Sequence, residues 1–298
     1  MNELTISLTK TPTVLLIGNG VSRSCSSAST KSWDELIKEL RKEYNSEFSM
    51  EEIAKLPYPM MILAATNDNV LHAMKRYAAE LSNITLSESD AEYIKKILTV
   101  RSIDCVLTTN YSYELETAVL GTYTPYKYRK VRKITKEVKG PIFRKRLFQY
   151  SSISEETPPI WHIHGEACAP QSMIMGHYHY GKLLREIQDY IPDLIRRYKK
   201  ALSEGQETME AYSWVDYFLI GNVHMLGFAW DLSESDLWWL ACCKKRNFAE
   251  TEIVFHTMRR NEIDGTGKQL MMKLYGVKVE CPEGLDYRGY YEKTIEHI

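Results

Sequence analysis

The chain has 298 residues, 44% apolar and 26% charged, with a formal net charge of −1. This is the composition of an ordinary soluble globular protein with enough apolar residues for a proper core, and the near-neutral charge excludes a global pull toward nucleic acid or membrane. The length fits one large α/β domain or two smaller ones.

The six cysteines (Cys25, Cys105, Cys168, Cys242, Cys243, Cys281) contain no C-x-x-C pair. That excludes a structural zinc ribbon, and their scatter suits a reducing cytosol. The first residues, MNELTISLTK, lack the basic flank and apolar core of a signal peptide. No apolar run approaches the roughly 20 residues that span a bilayer. The expectation is a cytoplasmic protein with no membrane partner.

In chain order, TVLLIG (Thr13–Gly18) predicts a strand, followed by Gly18-Asn19-Gly20 and a serine-rich stretch. Ser32 and Glu35 form a capping-box pattern before a helix that carries Trp33, Leu36, Ile37, Leu40 and Tyr44 on one face. Met50–Leu81 predicts a long helical insertion. SESD at Ser87 starts the next helix, through Leu98, and SIDCVLTTN (Ser102–Asn110) is the second strand. From Lys127 to Arg146 there are ten Lys/Arg and one Glu, which reads as a solvated loop or hairpin or as a patch for an acidic partner surface, nucleic acid or cofactor phosphates.

PIWHIHG (Pro159–Gly165) is the third strand. Lys182–Gly205 predicts a second helical insertion, kinked or split at Pro192. VHMLGFA (Val223–Ala229), a helix starting at Ser233 with a second SESD, EIVFHTM (Glu252–Met258), a helix closed by Gly276, and VKVECP (Val277–Pro282) complete the alternation. Continuous apolar runs read as strands buried on both faces. The fold class expected is α/β, a doubly wound Rossmann-like parallel sheet in one domain over 1–298, with helical insertions near 50–81 and 182–205.

Four stretches carry chemistry. Gly18 and Gly20 allow close approach of a ligand, and free N–H groups with nearby serines suit a negatively charged group such as a diphosphate; a plain tight turn is the alternative. Thr108-Thr109-Asn110 ends a buried strand, the edge where open α/β sheets bind ligands, although Asn110 would also serve as a helix cap. In WHIHG, strand alternation puts His162 and His164 on one face, with Ile163 opposite. A His-x-His pair could bind metal; a histidine before a glycine at a strand end is well placed as an acid or base. In MLGFAWDLSESDLWWL, Gly227 ends a strand and Trp238 and Trp239 read as core.

The order of these motifs, strand-Gly-x-Gly-x-Ser, Thr-Thr-Asn-Tyr, His-Gly, Gly-Phe-x-x-Asp, resembles the sirtuin-like (silent information regulator) family from Val14 to about Met258. It looks most like the sirtuin-like domains of bacterial antiphage systems. The resemblance implies that Gly18, Gly20 and Ser22 hold the diphosphate of NAD+ and that Asn110 lies beside the nicotinamide ribose. It further implies that His164 is the catalytic base and that Gly227 and the residues after it sit near the adenosine. Asn19, Thr109, Tyr111 and Phe228 are counted with them as cofactor-binding residues.

It implies an NAD+ hydrolase with no metal, acting as the effector of an NAD-depleting abortive-infection system. An NAD-dependent deacylase, an ADP-ribosyltransferase and a non-catalytic NAD or ADP-ribose sensor are the alternatives. The partners implied are NAD+, further copies of the chain in a homo-oligomer, and a separate trigger such as a HerA-like ATPase or an Argonaute-type protein, with nucleic acid involved only indirectly. Three departures stand out: Asn19 replaces the usual alanine, Ser112 stands where the family usually has Asp, and the four zinc cysteines are missing.

Overall fold

A computed structural model describes residues 4–27, 31–81, 84–131, 142–258, 263–281 and 286–298. Among these the strands are β1 (Thr5–Ser7), β2 (Thr13–Ile17), β3 (Ile103–Thr108), β4 (Arg129–Val131), β5 (Gln149–Ser151), β6 (Ile160–His162), β7 (Thr208–Glu210), β8 (Asn222–Leu226), β9 (Ile253–His256) and β10 (Lys278–Glu280). The helices before β4 are α1 (Asn19–Arg23), α2 (Trp33–Glu43), α3 (Met50–Ile53), α4 (Tyr58–Thr66), α5 (Val70–Leu81), α6 (Glu88–Leu98), α7 (Glu114–Leu120) and α8 (Pro125–Tyr128). After it come α9 (Ile142–Leu147), α10 (His177–Ser203), α11 (Trp214–Ile220), α12 (Ser235–Asn247), α13 (Gly267–Tyr275) and α14 (Tyr287–Ile295).

The main sheet has eight strands in the order β10-β9-β8-β2-β3-β6-β5-β4. The six from β10 to β6 run parallel. They are the six apolar runs of the sequence. In β2, Val14 and Leu16 pack into one core cluster and Leu15 and Ile17 into another. The strand is therefore buried on both faces, each such side chain contributing about 1.5–3 kcal/mol. The first cluster holds α10, α11 and α12 against the sheet; the second holds α6, α7 and α14. This is an α/β fold of Rossmann type. From β2 the chain steps outward to β3 and β6, then returns to add β8, β9 and β10 on the other side. The reversal lies between β2 and β8, and a crevice opens at the carboxyl ends of such strands.

A third cluster joins α2, α4 and α5 to Tyr113, Met173 and Met175. The insertion expected over Met50–Leu81 is thus three helices packed against α2, and it roofs the strand ends. Several caps match the sequence. Ser32 accepts from the Glu35 N–H at 3.2 Å while the Glu35 carboxylate accepts from the Ser32 N–H at 2.6 Å, and Gly276 closes α13 in the left-handed conformation.

Four expectations are corrected. The far edge of the sheet is antiparallel: β4 and β5 pair with each other, and β5 pairs with β6. β4 comes from the basic segment, whose residues 132–141 lie outside the described ones, and β5 follows that segment. The second insertion begins earlier, at His177, and α10 runs to Ser203 without dividing at Pro192. Buried Leu183, Ile187, Tyr190, Ile191 and Leu194 hold both halves to the same core, which outweighs the one backbone hydrogen bond that proline removes. Ser233 does not cap a helix: α12 starts at Ser235 with Glu234 at the cap, because Asp231 takes the Ser233 N–H and hydroxyl at 2.8 and 2.5 Å. Finally, β6 ends at His162, so His162 and His164 do not share a strand face. No helix among the described residues is long and apolar enough to cross a membrane.

Candidate active site

The glycine loop is a junction between strand ends. The Gly18 N–H donates to the Leu226 carbonyl at 2.8 Å and the Gly20 N–H to the Gly227 carbonyl at 2.7 Å. A Cβ on Gly18 would come within 2.5 Å of the Gly227 oxygen, and one on Gly227, whose φ is +62°, within 2.5 Å of the Val21 nitrogen. The glycines let the β2 and β8 loops interlock, and the N–H groups expected to be free at Gly18 and Gly20 serve this junction.

The serines after it do hold a negative charge, but it is a side chain of the protein. Ser26, Ser27 and Ser87 hydroxyls donate to Asp90 Oδ2 at 3.0, 2.6 and 2.8 Å, the Ser27 N–H adds a fourth bond at 2.9 Å, and Arg288 reaches Oδ1 at 3.2 Å. Burial alone would raise the Asp90 carboxyl; these hydrogen bonds reverse that and hold it well below the usual carboxylate range. Asn19 donates from Nδ2 to the Lys31 carbonyl at 2.8 Å, clasping the far end of the serine stretch, while its Oδ1 is buried without a partner.

Asn110 is held on three sides. Thr108 Oγ1 donates to the Ile17 carbonyl at 2.9 Å and accepts the Asn110 N–H at 3.1 Å. The Asn110 side-chain amide donates to Ser22 Oγ at 3.2 Å. His162 Nδ1 donates to the Asn110 carbonyl at 2.8 Å. Asn110 does not cap a helix, since α7 starts four residues later with Tyr113 at its cap. Where the family usually has Asp, the Ser112 hydroxyl donates to Glu114 Oε2 at 2.5 Å, so a buried carboxylate still stands behind this position.

The two histidines of WHIHG have separate surroundings. His162 is bonded at both nitrogens, to the Asn110 carbonyl and to Glu116 Oε1 at 2.9 Å. His164 lies in the turn after β6, where its carbonyl accepts the Ile174 N–H at 2.8 Å. Its Nε2 is 2.9 Å from Asp236 Oδ2 and 3.9 Å from Glu234 Oε2. Burial pushes the His164 imidazole down, and the Asp236 carboxylate, helped by Glu234, more than reverses this, so the ring keeps its proton above the ordinary histidine value. Burial, with Asp236 beside it, pushes the Glu234 carboxyl up to about 7, against the pull of His164 and of the Tyr180 hydroxyl, which donates to it at 2.9 Å.

These groups meet at a cavity of about 530 Å³ at the carboxyl ends of β2, β3, β8 and β9. Of the ten residues singled out in the sequence, eight line it: Asn19, Gly20, Thr109, Asn110, Tyr111, His164, Gly227 and Phe228. Gly18 and Ser22 are not among the lining residues, and Ser22 is fully buried against Asn110. The wall also includes Arg23, Tyr77, Tyr180, Glu234, His256, and Tyr287, Tyr290 and Tyr291 of α14. His256 differs from His164. Its Nε2 meets His224 Nδ1 at 3.1 Å, its Nδ1 is buried without a hydrogen bond although Glu280 stands 3.5 Å away, and burial with His224 pushes it down to about 4. Trp230, also in the wall, has a φ of +44° and stacks on Trp238 with centroids 4.1 Å apart. Strained backbone of this kind clusters at ligand sites, and Trp238 is the core residue the sequence suggested.

The ends of the basic segment turn inward. Arg129 Nη2 lies 2.7 Å from Glu166 Oε1, Arg146 pairs with the same oxygen, and the Tyr113 hydroxyl donates to Oε2 at 2.9 Å. Arg129 and Arg146 therefore brace the loop that carries His164, and neither is a solvated charge.

Sequence reasoning missed Asp236 and Glu234. They sit in the SESD read as a helix cap, and their partner is 70 residues upstream in the sequence. Together with His164 they offer three ligand atoms within 4.8 Å of one another, a geometry with room for a cation.

A search of curated proteins finds no match to the chain. Residues 104–209 match the family model of the SIR2-like domain, a span that includes Asn110 and His164 and leaves the glycine loop and Gly227 outside it. Proteins of that family are NAD-utilising enzymes. Over that span, about a third of the chain, the protein is similar to the SIR2-like domain, and the Rossmann-type sheet with a cavity at its switch point is consistent with that likeness.

Proposed function

We propose that the protein hydrolyses NAD+ to nicotinamide and ADP-ribose. The observation that carries this reading is that Asn110 and His164, from two different strand ends, line one cavity together with the glycine loop. The bond from ribose to the cationic nicotinamide breaks through an oxocarbenium-like state, as in glycoside hydrolysis. Asn110, held by Ser22, Thr108 and His162, orients a ribose hydroxyl or the attacking water. His164 takes the proton of that water, a role worth about 10²–10⁴-fold. Water adds at the ribose carbon, nicotinamide leaves as a neutral base, and one proton is released.

The diphosphate falls to different groups from those the resemblance implied. Gly18, Gly20 and Ser22 are engaged within the protein, whereas Arg23 and Asn19 line the cavity and the Asn19 side-chain oxygen has no hydrogen-bond partner. Arg23 supplies the cation and Asn19 a ribose contact. The adenosine lies toward Gly227 and Phe228. The scheme uses no metal. We read the whole chain as one cytoplasmic NAD+-depleting domain that works as a homo-oligomer under a separate trigger. What supports that context is the likeness of the motif order to the sirtuin-like domains of antiphage systems.

The test is incubation of the purified protein, alone and with a candidate trigger, with NAD+, followed by chromatography for nicotinamide and ADP-ribose. Both products should appear, and Asn110→Ala and His164→Ala should abolish them. Deacetylation of an acyl-lysine peptide without basal NAD+ turnover would replace this reading with a deacylase, and binding without turnover with a sensor.

A further inference from the structure

Two histidines line the cavity, and only one has a buried carboxylate hydrogen-bonded behind it. His164 Nε2 lies 2.9 Å from Asp236 Oδ2, with the two side chains 4% and 0% exposed. A ring nitrogen facing a carboxylate carries the proton. In the neutral ring the lone pair is then on Nδ1, which has no hydrogen-bond partner among the described residues, in a side chain that lines the cavity. The second Asp236 oxygen, Oδ1, is buried without a partner, so the carboxylate is committed to His164 alone.

We infer that Asp236 is the positioning residue of the catalytic histidine: it fixes His164 as the Nε2–H tautomer, aims the Nδ1 lone pair at the cavity, and stabilises the imidazolium that forms when a water proton is taken. The inference rests on the proposed hydrolysis, and it names the group that makes His164 competent as a base.

Three features support it. Asp236 lies in the first turn of α12, a helix of 13 residues, where the positive end of the helix favours an anion. Glu234 beside it is the carboxyl pushed up, to about 7, as expected where two buried carboxyls lie close together. Next, the groups shown against His164 among the described residues are few: Asp236 and Glu234 at the start of α12 and the Tyr180 ring from α10 at 5.7 Å edge-on. None places a cation on the ring. Last, the Tyr180 hydroxyl donates to Glu234, which leaves the Asp236 oxygen nearest the ring uncontested.

Nitrogen-15 histidine spectra across pH, with the His164 signal assigned by its loss in His164→Gln, test the inference directly. Wild-type His164 should show the Nε2–H tautomer and titrate above the ordinary histidine value. Asp236→Asn should lose that tautomer and titrate lower. In turnover, Asp236→Asn should lower kcat by about 10²–10⁴-fold, leave KM for NAD+ within a few-fold, and move the acid limb of kcat/KM to lower pH, with Asp236→Glu recovering part of the rate. An Nδ1–H tautomer in the wild type would overturn the inference even if Asp236→Asn does not fold. So would an unchanged titration in folded Asp236→Asn, or a stoichiometric divalent cation in the purified protein that Asp236→Asn loses. A wild type with the expected tautomer and no NAD+ turnover would sink the hydrolase and leave the Asp236–His164 pair standing.

Discussion

The Asn110 side-chain amide donates to the Ser22 hydroxyl at 3.2 Å, across 88 residues of sequence. The contact ties the glycine loop of β2 to the strand end of β3, and it gives Ser22 a different duty from the one its motif suggests. Ser22→Ala should cost about 1–3 kcal/mol through the unsatisfied buried amide and lower kcat by roughly tenfold, about 1.4 kcal/mol of transition-state stabilisation, with little change in NAD+ affinity. Calorimetric binding beside steady-state kinetics checks this. A collapse of affinity with kcat retained would return Ser22 to the diphosphate.

The histidines separate by kind of damage. His164→Ala should abolish turnover and leave a folded protein. His162→Ala removes the partner of buried Glu116 and the support of the Asn110 carbonyl. It should lower stability by about 1–3 kcal/mol, the cost of leaving buried polar groups without their hydrogen-bond partner, while the folded fraction retains measurable turnover. Thermal melts paired with rates per folded molecule distinguish the two. Equal loss of rate in both, with both folded, would point instead to a shared site.

How far the sequence could be read depended on range. β2, β3, β6, β8 and β9 were legible because burial leaves a largely apolar run, whereas β10, an exposed-edge Lys278-Val279-Glu280, was legible only through the apolar residues around it. β1, β4, β5 and β7, three residues each, carry no such run. Local caps were legible as well, and the tetrapeptide SESD shows where that stops. At 87–90 Ser87 caps α6, and Asp90 collects the serine loop. At 233–236 the same four residues follow Asp231, which takes the Ser233 hydroxyl, and the freed carboxylates turn to His164. The local difference is Asp231, which stands where the first SESD has Thr85, and the tertiary one is His164. The glycines were correctly placed at a close approach, but what approaches them is the β8 loop.

Gly227→Ala tests that last point. Its Cβ would press on the Val21 nitrogen in a backbone conformation unfavourable to alanine. The variant should lose about 2 kcal/mol or more and bind NAD+ weakly, because the two loops that frame the cavity can no longer interlock. Wild-type stability in a denaturant titration would mean that the loops have room to separate.

The pH dependence of stability follows from Glu234 and His164. Both hold protons in the folded protein that the unfolded chain releases sooner. Glu234 therefore contributes stability that is complete below its unfolded value near 4.5 and is lost as pH rises through about 7. The raised His164 adds a loss in the same direction, above its unfolded value of 6.5. Asp90, held low, acts in the opposite sense and matters only in acid, below its unfolded value of 3.8. His256, held down at about 4, gives the opposite slope up to its unfolded value of 6.5, so guanidinium midpoints should fall with pH from 6.5 to 8 in the wild type and fall less in Glu234→Gln. A midpoint that rises across that range would contradict the assignment.

The basic segment divides into two kinds of charge, and substitutions should separate them. Glu166→Ala leaves Arg129 and Arg146 buried without their carboxylate, which should cost about 3–5 kcal/mol and disturb the loop that carries His164. Lys127 and Lys145 are exposed; reversing both to Glu should change stability by no more than about 0.5 kcal/mol each. If the segment meets another subunit or a trigger, that reversal should weaken association mainly through its rate and salt dependence. Lys130 is half-buried in β4, and Arg132, Lys133 and Lys136 lie outside the described residues, so Lys127 and Lys145 are the cleaner pair. Light scattering in low and high salt, set beside turnover, reads the outcome. Unchanged assembly with full activity would assign the segment to bracing the catalytic loop alone, through Arg129, Arg146 and Glu166.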